Sequence, residues 1–201
     1  MPVFDHLVYA TPDLEATAAD LTDRLGVAPA AGGSHPDMGT RNLLYGLGEG
    51  RYFELIGPDQ QQDVPPRWFG VSALTRARLA GWAVRSGRID LVVAGARKRG
   101  YDPGDPVSMS RQTPDGGLMT WRLTMPKSTL VPFLIEWGET QHPSHRDLPQ
   151  LTLESFAAEH PDPTALRQEL GTLGVGLTVS RSQQTRLTAV LGGPGGQINL
   201  H

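Results

Sequence analysis

Phe4-Asp5-His6-Leu7-Val8-Tyr9-Ala10-Thr11-Pro12-Asp13-Leu14 reads first as a short apolar strand and then, with no intervening loop, as a helix start. Thr11 is expected as the N-cap, Pro12 as the first helical residue, and Asp13 and Glu15 as the acidic first turn that a helix N-terminus favours. The helix should run to Leu25 and stop at Gly26. After a loop rich in Gly and Pro, strands are expected over 41–47 and 51–56, joined by Gly48-Glu49-Gly50 and closed by Gly57-Pro58. Residues 1–58 are read as one βαβββ unit, three of whose four strands are visible in the sequence.

The pattern recurs, and a repeat constrains architecture more than any single element. Residues 79–138 offer a strand over 81–85, a helix over 89–98 ending at Gly100, and strands over 107–111, 118–124 and 131–137. Pro114-Asp115-Gly116-Gly117 is a hairpin turn between two of them. Residues 151–201 carry a degenerate third copy: a strand over 151–157, His160-Pro161-Asp162-Pro163 opening a helix that ends at Leu173-Gly174, then strands over 176–180, 186–191 and 197–200. Pro12-Asp13 is echoed by Pro161-Asp162, and Leu25-Gly26-Val27 by Leu173-Gly174-Val175. Stretches 63–67 and 140–150 are the linkers. The expected class is α+β, three βαβββ units in cupped mixed sheets with helices outside. The first two units pair into one sheet, while the third either extends that sheet or meets a symmetric copy in a homodimer.

Composition narrows the partners. With 24 Gly and 17 Pro among 201 residues, the chain suits many short elements joined by tight turns. A net charge of −3 with scattered Lys and Arg provides no basic field for nucleic acid. There is no cysteine, so disulfides and thiolate chemistry are excluded, and any metal must be held by imidazole or oxygen. The start lacks the pattern of a secretory signal and no apolar run spans a membrane, so a cytoplasmic location is the expectation. The glycine clusters 48–50 and 192–196 read as hairpin turns, since no Gly-Lys-Ser/Thr follows them.

The opening strand and helix start, followed by His35, by Gly39-Thr40-Arg41-Asn42, by Tyr52-Phe53-Glu54-Leu55-Ile56, by Pro132-Phe133-Leu134-Ile135-Glu136-Trp137-Gly138 and by His142-Pro143, resemble the glyoxalase-like domain family of the vicinal-oxygen-chelate superfamily. That resemblance implies a metal in the cup, held by a His on the first strand and a carboxylate on the last strand of a unit. It points to His6 and Glu54. Strand alternation is independently consistent with this, putting Phe4, His6 and Val8 on one face and Tyr52, Glu54 and Ile56 on another.

The second unit offers Glu136 for the carboxylate but Gly81 or Trp82 where a His is needed, so His142 or His35 would supply a ligand from a loop. The expected metal ligands are therefore His6, Glu54, Glu136 and His142, with Glu136 and His35 as proton carriers. In the third unit Ser155 and Asn199 take the matching positions, which makes that unit structural. Arg41, Tyr45, Trp82, Arg85, Trp121 and Arg122 are candidates to line the cup and orient a small-molecule ligand. A divalent Mn, Fe, Ni or Zn ion suits such donors, and no organic cofactor is expected. The implied function is a metal-dependent lyase, isomerase or dioxygenase acting on a small oxygenated molecule. The alternative is a metal-free binding protein of the bleomycin-resistance type.

Overall fold

The computed structural model describes residues 1–36 and 38–201. The first unit comprises β1 (Val3–Ala10), α1 (Leu14–Leu25), β2 (Ala30–His35), β3 (Thr40–Gly46) and β4 (Tyr52–Pro58). The second comprises β5 (Arg78–Arg85), α2 (Ile89–Lys98), β6 (Pro106–Gln112), β7 (Leu118–Thr124) and β8 (Phe133–Glu136). Their eight strands curl past a cup into a closed barrel in the order β1-β4-β3-β2-β6-β7-β8-β5. In each unit the first strand runs parallel to the last. The units meet at two seams: a long antiparallel pairing of β1 with β5, and a single residue pair, Ser34 with Gln112, joining β2 to β6. An eight-stranded barrel has an interior just wide enough for side chains to fill, so its inward residues become the candidate site.

Helix α1 starts two residues later than expected. Thr11 still donates its backbone N–H to Ile56 O at 2.9 Å and so belongs to the sheet. Asp13 is therefore the N-cap, accepting from the Ala16 N–H at 2.9 Å. Asp162 does the same for α3 (Pro163–Thr172), so the Pro-Asp echo in the sequence is an echo of two caps. Leu14, Leu21 and Leu25 form the buried stripe of α1.

The third segment has β9 (Thr152–His160), α3, β10 (Thr178–Arg181), β11 (Arg186–Gly193) and β12 (Gly196–Leu200). The element order is that of the other units, but the strand order is β10-β9-β11-β12. Here the parallel neighbour of the first strand is the second strand, reached through α3. This sheet packs on its own chain. One apolar core runs from Leu7, Leu21 and Trp82 on the barrel side to Leu166, Leu191 and Ile198. Phe156 stacks on Phe4 at 5.5 Å and meets Trp82 edge-on at 5.2 Å. The third unit thus buries its apolar face without a second copy of the chain.

The dock is tight where α1 ends. Gly26 is left-handed at φ 73°, and a Cβ there would lie 2.6 Å from the backbone nitrogen of Gly195 in the β11–β12 turn. Gly26→Ala combines an unfavourable backbone conformation with that clash, so a loss of roughly 2–3 kcal/mol is expected in urea unfolding. Gly48→Ala, also left-handed but with open space around it, should lose only about 1 kcal/mol.

Candidate functional site

An inward imidazole is created by a bulge in β1. Pairing with β5 steps from Phe4–Val84 to His6–Ala83, leaving Asp5 as the extra residue. A bulge re-aims the side chains that follow it. Phe4 consequently leaves the face expected for it and packs outside with Trp82 and Phe156, whereas His6 turns into the barrel. His6 stacks on Tyr52 at 4.4 Å and meets the edge of Phe133 at 5.5 Å.

Asp5 is fully buried and collects donors. It accepts from His6 Nδ1 at 2.6 Å, His142 Nε2 at 2.9 Å, Trp137 Nε1 at 3.2 Å and Arg85 at 3.4 Å. Burial alone would push its carboxyl up. The hydrogen bonds from His142 and His6 outweigh this and hold it well below the ordinary carboxylate range. By engaging Nδ1, Asp5 leaves His6 Nε2 as the atom that faces inward.

Glu54 on β4 is the acid on that side. Its Oε2 lies 3.6 Å from His6 Nε2, and its Oε1 lies 3.9 Å from His35 Nε2. His35 is not a loop residue but the end of β2, a strand that its Gly-rich composition conceals. Gly33 is required there because a Cβ would fall 1.9 Å from Gln112 O at the seam between the units, and a Cβ on Gly32 would fall 2.0 Å from the Asn42 Oδ1 of its own unit. His35 Nδ1 is paired with Thr40 Oγ1 at 3.1 Å, so again Nε2 faces the carboxylate.

Burial pulls the His35 imidazole down to about 4, even against the attraction of Glu54. The unfolded chain therefore binds a proton there below about pH 6.5 that the folded chain refuses until about pH 4. In chelator-treated protein, stability should fall as pH drops through that window and level off beneath it. The loss is on the order of 3 kcal/mol at most, and His35→Gln should abolish that part of the pH dependence in urea titrations.

Asn42 on β3 donates to Glu54 Oε1 and accepts from Arg111 on β6 at 3.1 Å. Arg111 is almost wholly buried and makes its other contact with the sulfur of Met119. Trp68, Phe69, Trp121, Leu123, Phe133, Ile135 and Trp137 complete the wall, leaving free space of about 20 Å³, room for one water. Trp68 and Phe69 come from the stretch after the linker 63–67 and cover one end of the barrel. Trp68 meets His35 edge-on at 5.1 Å.

Several expected residues lie elsewhere. Strand alternation on β8 turns Phe133 and Ile135 inward and Glu136 outward, where it accepts from the Ile89 N–H at 3.1 Å and pairs with Arg122. Glu136 thus serves the start of α2 and not the barrel interior. On β5, Ala83 stands opposite His6, so the second unit brings no imidazole either. His142 is behind Asp5, between Trp137 and Tyr52.

Of the six residues expected to line the cup, only Trp121 does. Arg41 pairs with Glu15 outside, and Arg122 pairs with Asp90 and Glu136. Tyr45 donates to Val27 O in the outer core, where burial pushes its phenol up to about 12. Trp82 donates to Leu130 O at 2.8 Å, and Arg85 is spent on Gly50 O and Asp5.

The donor chemistry of His6, His35 and Glu54 suits a borderline divalent ion. Gaps of 3.6 and 3.9 Å are too long for hydrogen bonds and wider than the ~3.4 Å between two donors on ~2.1 Å tetrahedral metal bonds, so a bound ion would draw these side chains closer. Among the described residues no group of three His, Asp or Glu side chains is placed so that it could hold a metal ion. The two imidazoles instead face different oxygens of one carboxylate.

Two βαβββ units closed around a polar interior define the vicinal-oxygen-chelate class of protein. The profile of the family described as Glyoxalase-like domain matches residues 4–174, and the chain belongs to that family. The crystal structure of a hypothetical protein from Staphylococcus aureus shares its fold, with TM-score 0.67 and 17% identity over 99% of this chain and 84% of that one. Methylmalonyl-CoA epimerase from Mycobacterium tuberculosis aligns with TM-score 0.44 and 16% identity over 71% of this chain and 91% of its own. A Streptomyces coelicolor methylmalonyl-CoA epimerase in complex with 2-nitronate-propionyl-CoA gives 0.45 and 21% over 70% and 98%. A search of curated proteins returns no match. No helix among the described residues is long and apolar enough to cross a membrane.

Proposed function

We propose that the barrel interior is the active site of a metal-dependent enzyme, of lyase, isomerase or dioxygenase type, acting on a small oxygenated organic molecule. The observation that carries this reading is the convergence of His6 Nε2 and His35 Nε2 on the two oxygens of Glu54 inside an aromatic wall. His6, His35 and Glu54 would hold a divalent Mn, Fe, Ni or Zn ion. When bound, such an ion supplies Lewis acidity toward a substrate oxygen.

The chain's own groups prepare that chemistry. Asp5 fixes the ring of His6, and Thr40 that of His35, so both Nε2 atoms are oriented in advance. His35 is uncharged at neutral pH, and in the tautomer that donates from Nδ1 to Thr40 Oγ1 it presents a lone pair at Nε2. Burial first, then the charges of Asp5 and Glu54, push the Tyr52 phenol well above its usual range, so its hydroxyl stays protonated beside His6. Trp68, Phe69, Trp121 and Trp137 exclude water, which strengthens every charge interaction inside.

A second reading, a metal-free binding protein, is favoured by the second unit, whose inward positions carry Ala83, Ile135 and Arg111 in place of ligands. Elemental analysis of untagged, dialysed protein separates the two. The enzyme reading expects near-stoichiometric transition metal in the wild type, lost in His6→Ala and in Glu54→Ala. Failure of the wild type to load added Mn, Fe, Ni or Zn would leave the binding protein.

A further inference from the structure

A groove of about 1050 Å³ lies outside the barrel, between α2 and the end of α3, with the start of β1 along its rim. One stripe of α2 faces it: Arg88, Leu91, Val92, Gly95 and Arg99 recur at helical spacing along the whole helix. Ile89, Val93 and Ala96 are already buried in the core, so α2 carries a second apolar face. That face has no cover, since Leu91 is 63% exposed and Val3 across from it 49%. Gly95 sits inside α2, where glycine weakens a helix, and a Cβ there would meet only the movable end of Arg99 at 3.3 Å. Packing within the chain therefore does not call for glycine at 95, and its effect is to keep the floor of the groove clear. Gly171 on α3 likewise faces open space.

The charge along the groove is one-sided. Arg85, Arg88 and Arg99 line it without an aspartate or glutamate, in a chain whose net charge is −3. Arg85 is held by Asp5 and Gly50 O, and Arg99 donates to Thr172 O at the end of α3. Asp90, the acid next in sequence, is taken by Arg122, and the Arg88 side chain has no ion-pair partner among the described residues. A cation in excess thus stands where α2 begins. The stripe runs from it to Arg99 over ~16 Å at 1.5 Å per residue.

We infer that this groove binds a free single-chain amphiphile, a fatty acid or related alkyl anion, with its headgroup at Arg88 and its chain along Leu91, Val92 and Gly95. The walls favour hydrocarbon over peptide. They are mainly the sides of helices, whose backbone groups are bonded within the helix, so an extended peptide would leave its amides without partners. A hydrocarbon chain needs no such partners, and it takes the exposed surface of Leu91 and Val3 out of water. The groove shares only Trp137 with the barrel interior, and the inference stands whether or not the barrel holds a metal.

Titration calorimetry with dodecanoate below its micellar concentration should give one saturable site per chain. Butyrate has the head but not the tail, and dodecyltrimethylammonium the tail but the opposite charge; each should bind at least tenfold more weakly. Gly95→Leu fills the groove while improving the helix, so it should resist urea at least as well as the wild type yet bind dodecanoate at least tenfold more weakly. Arg88→Gln, at an exposed position, should lose several-fold and narrow the preference for dodecanoate over the ammonium. Should Gly95→Leu fail to fold, Gly171→Leu carries the test. No saturable dodecanoate binding, equal affinity for the ammonium, or unchanged affinity in the folded glycine variant would overturn the inference. Co-sedimentation with phosphatidylglycerol vesicles without binding of free dodecanoate would also overturn it, making this face a membrane contact instead.

Discussion

Asp5→Ala is expected to cost more stability than any other single change near the site, about 3–5 kcal/mol in urea unfolding at neutral pH. The magnitude follows from what remains behind. His6, His142, Trp137 and Arg85 would all lose the acceptor that they share, and two of those donors are imidazoles drawn from opposite ends of the barrel sequence. Asp5 also ties the stretch after β8 to the start of β1, so its loss should loosen residues 140–146 toward proteolysis. Asp5→Asn, which keeps the shape and one acceptor, should lose less. Because the Asp5 carboxyl sits below its ordinary value when folded, its contribution is fully present above about pH 4 and is lost only as pH falls further. A loss under about 1 kcal/mol for Asp5→Ala would mean that water replaces the missing carboxylate and that the network is ornamental.

Glu54→Gln should have the largest effect on function. Glutamine preserves shape and can still accept from Asn42, so the fold should persist. What it removes is the charge that both imidazoles face. Loss of an outer-shell partner alone weakens metal sites by ~10–100-fold, and a direct donor should cost at least ~100-fold. Competition with a chromophoric chelator gives that number. Zinc affinity within a few-fold of the wild type would remove Glu54 from the site.

The parts of the fold that follow hydrophobic period were legible in the sequence, and so was the inward pair His6 and Glu54. The misses share a physical cause, since they fall where local pattern is overridden by what lies across the sheet. Strand alternation through Asp5 puts Phe4 on the face of His6, and the bulge that moves it off that face has no sequence signature of its own. His35 was expected in a loop because Ala30–His35 is rich in glycine. Gly33 marks the close approach of the second unit at Gln112, not a turn. Glu136 was placed one residue out of register, and on a strand a shift of one exchanges inside for outside.

Arg111, Asn42, Trp68 and Phe69 were not singled out at all. Arg111 sits in Val107-Ser108-Met109-Ser110-Arg111, which reads as a half-solvated strand, and its burial depends on the neighbouring unit. Asn42 lies in Gly39-Thr40-Arg41-Asn42, where the charged residue is Arg41, which points outward to Glu15. The adjacent aromatic pair Trp68-Phe69 just beyond a Pro-rich linker was the one available signal of a cover. Two large apolar side chains in an irregular stretch need something to bury them.

The most direct test is an anomalous-scattering map from crystals of the wild-type protein grown with zinc and collected on both sides of the zinc edge. One peak per chain, bonded to His6 Nε2, His35 Nε2 and Glu54 and missing in Glu54→Gln crystals, is the expected result. A peak elsewhere, or none between these three side chains at full zinc occupancy in solution, would contradict a metal centre in the barrel.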